Sequence, residues 1–300
     1  MARIAVVGDV HGHLALLYAI LGRWQRESGR PIDLILQVGD LGAFAPGGPV
    51  DQATRRHAER DPEELGFAEF AGEHPPATLL DPRPPLVFIP GNHEDFPFLE
   101  ERDRAAGPDD ALYPVAQDGR ILALRPGRLW SFDSPDGPVR IAGVSGVAHR
   151  GHKKHLHPML HLRDEDALRI AERGPGSVDM LISHERPAGI DGSFRHDLGG
   201  SDALRLLIEE VQPQLAFFGH YDWGGEYVIG QTRVVGLRSC GYVTHGDWPV
   251  KRGGIALVEW TGSGVTVEPL WTEWLESATR QSWRHWGTVS GVRSGGVSKC

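Results

Sequence analysis

Short runs of aliphatic and β-branched residues recur along the chain, and each stops at a turn residue followed closely by a polar side chain. Residues 4–7 precede Gly8-Asp9, residues 34–38 precede Gly39-Asp40, and residues 86–89 precede Pro90-Gly91-Asn92-His93. Residues 180–182 precede Ser183-His184, and residues 215–218 precede Gly219-His220. Apolar runs of this length bounded by turn residues predict buried central strands. Their polar residues then sit just past the C-terminal strand ends, where open α/β sheets place their sites.

Between the first two runs, Leu17, Ile20, Leu21 and Trp24 have helical spacing, so residues 14–24 should form a helix covering one sheet face. Residues 65–70 and 203–211 are further helix candidates, the second capped by Ser201. Residues 46–85, rich in Pro, Arg and acidic side chains and without periodicity, are expected as a surface excursion holding one short helix. Residues 129–132, 139–144, 233–237, 255–260 and 265–270 are expected as additional strands, more often antiparallel because short turns join them. The sum is an α/β chain in which two sheets pack face to face with helices outside, without an internal repeat.

The chain of 300 residues, 40% hydrophobic and 24% charged, suits a soluble globular protein with a core of its own. A net charge of −9 argues against a general nucleic-acid coat while leaving room for a local basic groove. The only cysteines are Cys240 and Cys300, so no disulfide framework is expected and a reducing compartment is favoured. The start lacks a signal-peptide pattern and no stretch suits a membrane span, so the expected location is cytoplasmic and no membrane contact is expected. Residues 1–276 are expected to form the main domain. Residues 277–300 form a tail with no acidic residue, a solvated extension or else a contact to a polyanion. Residues 148–163 hold His149, His152, His155, His157 and His161 with four basic residues. This insertion is expected near the mouth of the site, either as a phosphate-backbone contact or as a plain solvated loop.

The polar strand ends include Asp9 and His11, Asp40, Asn92 and His93, His184, and His220 with Asp222. Imidazoles, carboxylates and one amide carbonyl without thiolate suit two divalent ions such as Mn²⁺ or Fe²⁺, with Zn²⁺ also compatible. Any one Gly-Asp or Gly-His is an ordinary turn, but five such signals after five strands point to a shared site.

The blocks Gly8-Asp9-Val10-His11-Gly12, Val38-Gly39-Asp40, Pro90-Gly91-Asn92-His93-Glu94, Ile182-Ser183-His184 and Phe218-Gly219-His220-Tyr221-Asp222 resemble, in order, the signatures of the calcineurin-like metallophosphoesterases. The resemblance implies a four-layer α/β-β/α sandwich of two mixed sheets with a binuclear centre between them. By analogy, Asp9, His11, Asp40 and Asp222 hold one metal, and Asp40 bridges to a second held by Asn92, His184 and His220. Asp222 departs from the family's usual Gly-His-x-His block, either as a carboxylate ligand or as a residue just behind the ligands.

The implied reaction is hydrolysis of a phosphate ester by a water shared between the two metals. Asp40 and His93 are the catalytic residues, His93 donating the leaving-group proton, and Asn92, His93 and Arg186 are candidates for the substrate phosphate. The Ser/Thr protein phosphatases carry an Arg-bearing block that Gly39-Asp40-Leu41-Gly42-Ala43-Phe44 lacks. The layout is closer to the lariat-debranching phosphodiesterases, although those carry Cys at the position of His11. A phosphodiesterase acting on a nucleotide or nucleic acid is therefore the expectation. A phosphomonoesterase, a protein phosphatase or a non-catalytic metal-binding scaffold of the same fold is the alternative. The sequence does not specify an oligomeric state.

Overall fold

The computed structural model describes residues 1–148, 157–190, 199–222, 224–240, 250–279 and 282–286. The expected apolar runs all become strands. The order is β1 (Ala2–Val7), α1 (Leu14–Ser28), β2 (Leu34–Gln37), α2 (Gln52–Ala58), α3 (Phe67–Phe70), β3 (Leu86–Phe88) and α4 (Phe96–Ala106). Then come β4 (Leu112–Pro114), β5 (Ile121–Leu124), β6 (Leu129–Phe132), β7 (Val139–Val144), α5 (Asp164–Ala171), β8 (Met180–Ser183) and α6 (Asp202–Val211). The chain continues through β9 (Leu215–Phe218), β10 (Gly225–Ile229), β11 (Thr232–Gly236), β12 (Ile255–Thr261), β13 (Gly264–Pro269) and α7 (Glu273–Glu276).

The strands form two mixed sheets, ordered β13-β12-β1-β2-β3-β5-β4 and β10-β11-β9-β8-β7-β6. Each has four parallel strands at its centre, β1, β2, β3 and β5 in one and β7, β8, β9 and β11 in the other, with antiparallel strands outside. β7 and β11 each pair antiparallel with the strand a short turn joins them to, β6 and β10, as expected, and on their other side they join the parallel centre. The chain leaves β7 by a long crossover carrying α5, and β10 separates β9 from β11 in sequence, so neither parallel pair needs a tight turn.

Strand pleating explains the layers. Successive side chains alternate faces, so Ile4 and Val6 enter the core between the sheets while Ala5 and Val7 face the helix layer. The same split sends Leu215 and Phe217 inward and Ala216 and Phe218 beneath α6. α1 buries Leu14, Leu17, Tyr18 and Leu21 over the first sheet. α6 buries Leu204, Leu207, Ile208 and Val211 over the second, with Ser201 accepting a cap hydrogen bond from Leu204 N as expected. The result is helix, sheet, sheet, helix.

The segment 46–85 contains more structure than its composition suggests. It holds α2, the 3₁₀ turn Pro62–Leu65 and α3, and Phe67 and Phe70 are buried against Tyr18 and its neighbours on the α1 side. The C-terminal side also reaches past residue 276: Ala278 is buried, and the Arg23 guanidinium lies 4.5 Å from the Trp274 ring and 5.1 Å from the Trp286 ring. Of the expected tail, residues 280–281 and 287–300 lie outside the described residues, as do His149, His152 and His155 of the histidine-rich insertion. No described helix is long and apolar enough to cross a membrane.

Candidate metal centre

The loops after β1, β2, β3, β8 and β9 converge at the C-terminal edge of both sheets. The local backbone is forced: His11, Asp40, His220 and Asp222 have φ of 45°, 54°, 70° and 46°, leaving Gln212 as the only other described non-glycine residue with positive φ. Left-handed backbone is uncommon for any residue but glycine, Asp and His tolerating it better than most, and it persists where the surroundings fix it. Two glycines make the convergence possible by close approach. A Cβ on Gly91 would lie 2.2 Å from Asp40 Oδ1, and one on Gly219 would lie 2.4 Å from Asp9 Oδ1.

Asp40 is the hub. Its carbonyl accepts hydrogen bonds from Val10 N and His11 N, both at 2.9 Å, tying the β1 loop to the β2 loop. Its Oδ1 accepts from Asn92 N at 2.6 Å and His93 N at 2.7 Å, tying in the β3 loop. Donor atoms of Asp9, His11 and Asp40 lie within 4.8 Å of one another, and so do those of Asp40, His184 and His220. Both groups share Asp40.

His184 is fully buried, and its Nδ1–H donates to the Val38 carbonyl at 3.0 Å. That bond turns Nε2 toward Asn92 Oδ1 at 3.0 Å and Asp40 Oδ1 at 3.4 Å. Three acceptor atoms meeting this closely need a proton or a cation among them. Burial works against charge on His184, but the negative Asp40 and Asp9 lift its pKa to about 9. Burial also pushes Asp9 up to about 7, partly offset by His184. His11 and His220 move the other way, to about 4 each, chiefly through burial, so both imidazoles are neutral and can donate a lone pair. This donor set fits divalent cations: two buried carboxylates, three imidazoles and an amide oxygen, with no Lys or Arg among them, and a cation bound beside His184 Nε2 would take the place of its proton.

His93 stands beside the cluster, its ring 5.5 Å from that of His11. Its Nδ1 meets Asp51 Oδ2 at 3.3 Å, and Asp51 caps α2 by accepting from Ala53 N and Thr54 N. Burial disfavours the imidazolium, but the Asp51 hydrogen bond and the charge of Asp40 outweigh it and raise His93 to about 9. Nδ1–H is thus committed to Asp51 and Nε2–H remains for a ligand.

Two expected site residues stand elsewhere. Asp222 belongs to neither donor group: its Oδ1 accepts from Ser239 N at 3.2 Å and its Oδ2 is engaged by Lys251 Nζ. Arg186 is fully buried, its guanidinium 4.6 Å from the Tyr221 ring, so here it backs the cluster rather than facing a phosphate. The physical reason is Glu185, which accepts from Arg186 N, Ala148 N and the Tyr221 hydroxyl and holds that side closed.

Sequence reasoning missed Asp51, Glu94, Glu185, Tyr221 and Lys251. Glu94 Oε1 accepts from Leu41 N at 2.9 Å and Oε2 from Ala43 N at 2.6 Å, clamping the loop after Asp40. Asp51, three residues before Thr54 at the start of a helix, carried a readable N-cap signal. His13 bridges the Val10 carbonyl and Asp61 Oδ2, 3.0 Å from each, and braces the β1 loop.

The model of the calcineurin-like phosphoesterase family matches residues 2–221. Among curated proteins, the lariat debranching enzyme of Arabidopsis thaliana is 24% identical over 246 residues, covering 73% of this chain and 54% of that protein. The lariat debranching enzyme of Drosophila melanogaster is 26% identical over 246 residues, covering 73% of this chain and 42% of that protein. The chain thus spans about half the length of these relatives. Among solved structures, the Plasmodium protein described as GAP50, the anchor in the inner membrane complex, shares the fold with a TM-score of 0.50 and 11% identity, covering 89% of this chain and 84% of that one. With its family signatures folded into one cluster and the family model spanning most of its length, the chain belongs to the calcineurin-like phosphoesterases.

Proposed function

We infer that the protein is a binuclear phosphodiesterase. The observation that supports this best is the sharing of Asp40 between the donor groups Asp9/His11/Asp40 and Asp40/His184/His220, with Asn92 beside the second. Two divalent metals of the Mn²⁺ or Fe²⁺ type, once bound, would supply an acidified water and offset charge on the phosphoryl oxygens.

The chain's own residues do the rest. Asp40 orients the β3 loop through Asn92 N and His93 N, which sets the Asn92 amide and the His93 ring on one side of the cluster. Asp51 keeps His93 protonated, so Nε2–H can be delivered to the departing alkoxide as the ester bond breaks. The carboxylates of Asp9 and Asp40, both buried, hold the negative charge that draws cations in. Preference for diesters rests on the similarity to the lariat debranching enzymes and on the layout of the blocks. A nucleotide or nucleic-acid substrate is the natural extension of that similarity, and a cytoplasmic location accords with the two lone cysteines.

The test is Mn²⁺-dependent hydrolysis of bis(4-nitrophenyl) phosphate, compared with the monoester, together with metal counting. Wild-type protein should bind two Mn²⁺ and turn over the diester faster. Asp40→Ala should lose both metals, and His184→Ala one. Protein that binds two Mn²⁺ yet leaves both esters intact is a scaffold and ends the hydrolase reading.

A further inference from the structure

A cavity of about 370 Å³ opens between the edges of the two sheets, where β10 and β11 face β12 and β13. Its floor is apolar, formed by Val235, Leu237, Ile255, Ala256 and Val267. Its walls carry Gly224, Gly225 and Gly253, and the Arg238 side chain runs between two of them, within 4.0 Å of the place a Cβ would take on Gly224 or Gly253. Arg238 and Arg252 both line it, and among the described residues neither guanidinium has an ion pair or hydrogen bond. The one acid of the lining, Glu226, is held by Arg233 through two bonds of 3.1 and 2.8 Å. Among the described residues, therefore, two cations without an acidic partner stand at an apolar floor.

The cavity adjoins the metal-binding cluster. Ser239, next to Arg238, donates its backbone N–H to Asp222 and its hydroxyl to the Asp9 carbonyl. Arg238 N donates to the Gly253 carbonyl, and Gly8 N, one residue before Asp9, donates to the Gly254 carbonyl. A group seated here is joined to the cluster through one residue of backbone.

We propose that this cavity binds a nucleotide unit, with its phosphate on Arg238 and Arg252 and its base or sugar on the apolar floor, adjoining the scissile phosphodiester. The size lies at the lower end of the roughly 300–1,000 Å³ of small-molecule sites, enough for one unit rather than a duplex. Guanidinium forks suit phosphate oxygens, and an aliphatic floor can bury one face of a base or sugar without reading its sequence. This also places cations beside the cluster in a chain of net charge −9, which otherwise repels polyanions. The assignment rests on the phosphodiesterase reading for its biological sense, but its binding chemistry is independent of hydrolysis.

The experiment is calorimetric titration of the full chain, in chelator, with 5′-AMP, adenosine and inorganic phosphate. AMP should bind, and more tightly than either fragment. Arg238→Glu combined with Arg252→Glu should weaken AMP at least about tenfold, and raising salt should weaken the wild type but not this variant. Gly224→Trp fills the cavity without changing the net charge, since a Cβ there meets nothing closer than 3.5 Å, and it should weaken AMP likewise. Should the double variant melt early, the Gly224→Trp protein decides alone. Chelated wild-type protein that ignores AMP, or a well-folded Gly224→Trp protein that binds it normally, overturns the assignment. AMP binding lost in the variants of a chain inert toward bis(4-nitrophenyl) phosphate upholds the cavity while the hydrolase reading falls.

Discussion

Lys251 engages Asp222 Oδ2, and that pairing keeps the Asp222 carboxylate out of both donor groups around Asp40. The partners come from different places, Asp222 from the loop after β9 and Lys251 from just before β12. Removing the ammonium should free a carboxylate for the Asp9 side and remove a positive charge from its surroundings. Lys251→Met is therefore expected to tighten Mn²⁺ at the Asp9/His11/Asp40 group, and Asp222→Ala to weaken it, each within the roughly 10–100-fold range of outer-sphere changes. Calorimetric titration of the three proteins checks this. Identical affinities would remove Asp222 from the metal chemistry altogether.

His93 and Asp51 define a second prediction. If His93 delivers a proton to the leaving alkoxide, His93→Ala should retain two Mn²⁺ but lose about 10²–10⁴ in kcat on alkyl diesters. The loss should shrink on nitrophenyl esters, whose leaving groups need little protonation. Asp51→Asn removes the charge that helps hold His93 protonated at about 9, so the limb of the pH–rate profile assigned to His93 should move to lower pH. An equal loss on both ester types would end the proton-donor role.

Glu94 is 5% exposed and answers the backbone N–H groups of Leu41 and Ala43 with separate oxygens, one of which also meets Gly91 N at 3.4 Å. Glutamine keeps the shape but turns one acceptor into a donor facing a donor. Glu94→Gln should therefore lower stability by about 1–3 kcal/mol, the range for an unsatisfied buried group, and the cost should appear as a lower melting temperature. Metal affinity should fall with it, because the loop being released carries Asp40. Normal melting and normal Mn²⁺ binding in Glu94→Gln would show that the clamp is dispensable.

Site residues set just past a strand end were legible, and those that reach the site from farther along the chain were not. Asp9, Asp40 and His184 each follow a buried apolar run by one or two residues, so periodicity and turn residues locate them together. The glycine before a ligand also had meaning: Gly219 lets the β9 loop reach Asp9, a constraint that leaves a trace in sequence. Lys251 and Glu185 left no comparable trace, because each acts across a long sequence separation on a residue it meets only in the folded chain, and the N-cap signal of Asp51 did not reveal its partner His93, 42 residues on. For the same reason Arg186 looked available for phosphate: one residue past Glu185, its burial beneath Tyr221 depends on a partner from the β9 loop. Sheet composition was readable, but the parallel placement of β7 and β11 was decided by crossovers whose length alone does not fix strand order.

Cys240 is 2% exposed and its N–H donates to the Asp9 carbonyl, so its thiol lies directly behind the metal-binding edge. Burial pushes its pKa up to about 12. The folded protein therefore holds the neutral thiol, whereas the unfolded chain ionises above about pH 8.5. Stability should be insensitive to this group below that pH and should fall progressively as pH climbs toward 12, because only the unfolded state releases the proton. In a Cys300→Ser background, a thiol-specific disulfide reagent at pH 8 should react with Cys240 only at the rate of global unfolding. Melting temperatures between pH 8 and 10 should fall more steeply than in the matching Cys240→Ala protein. Rapid labelling of the folded chain at pH 8 would mean that the β1 loop opens without global unfolding, and the Asp9 side of the cluster would open with it.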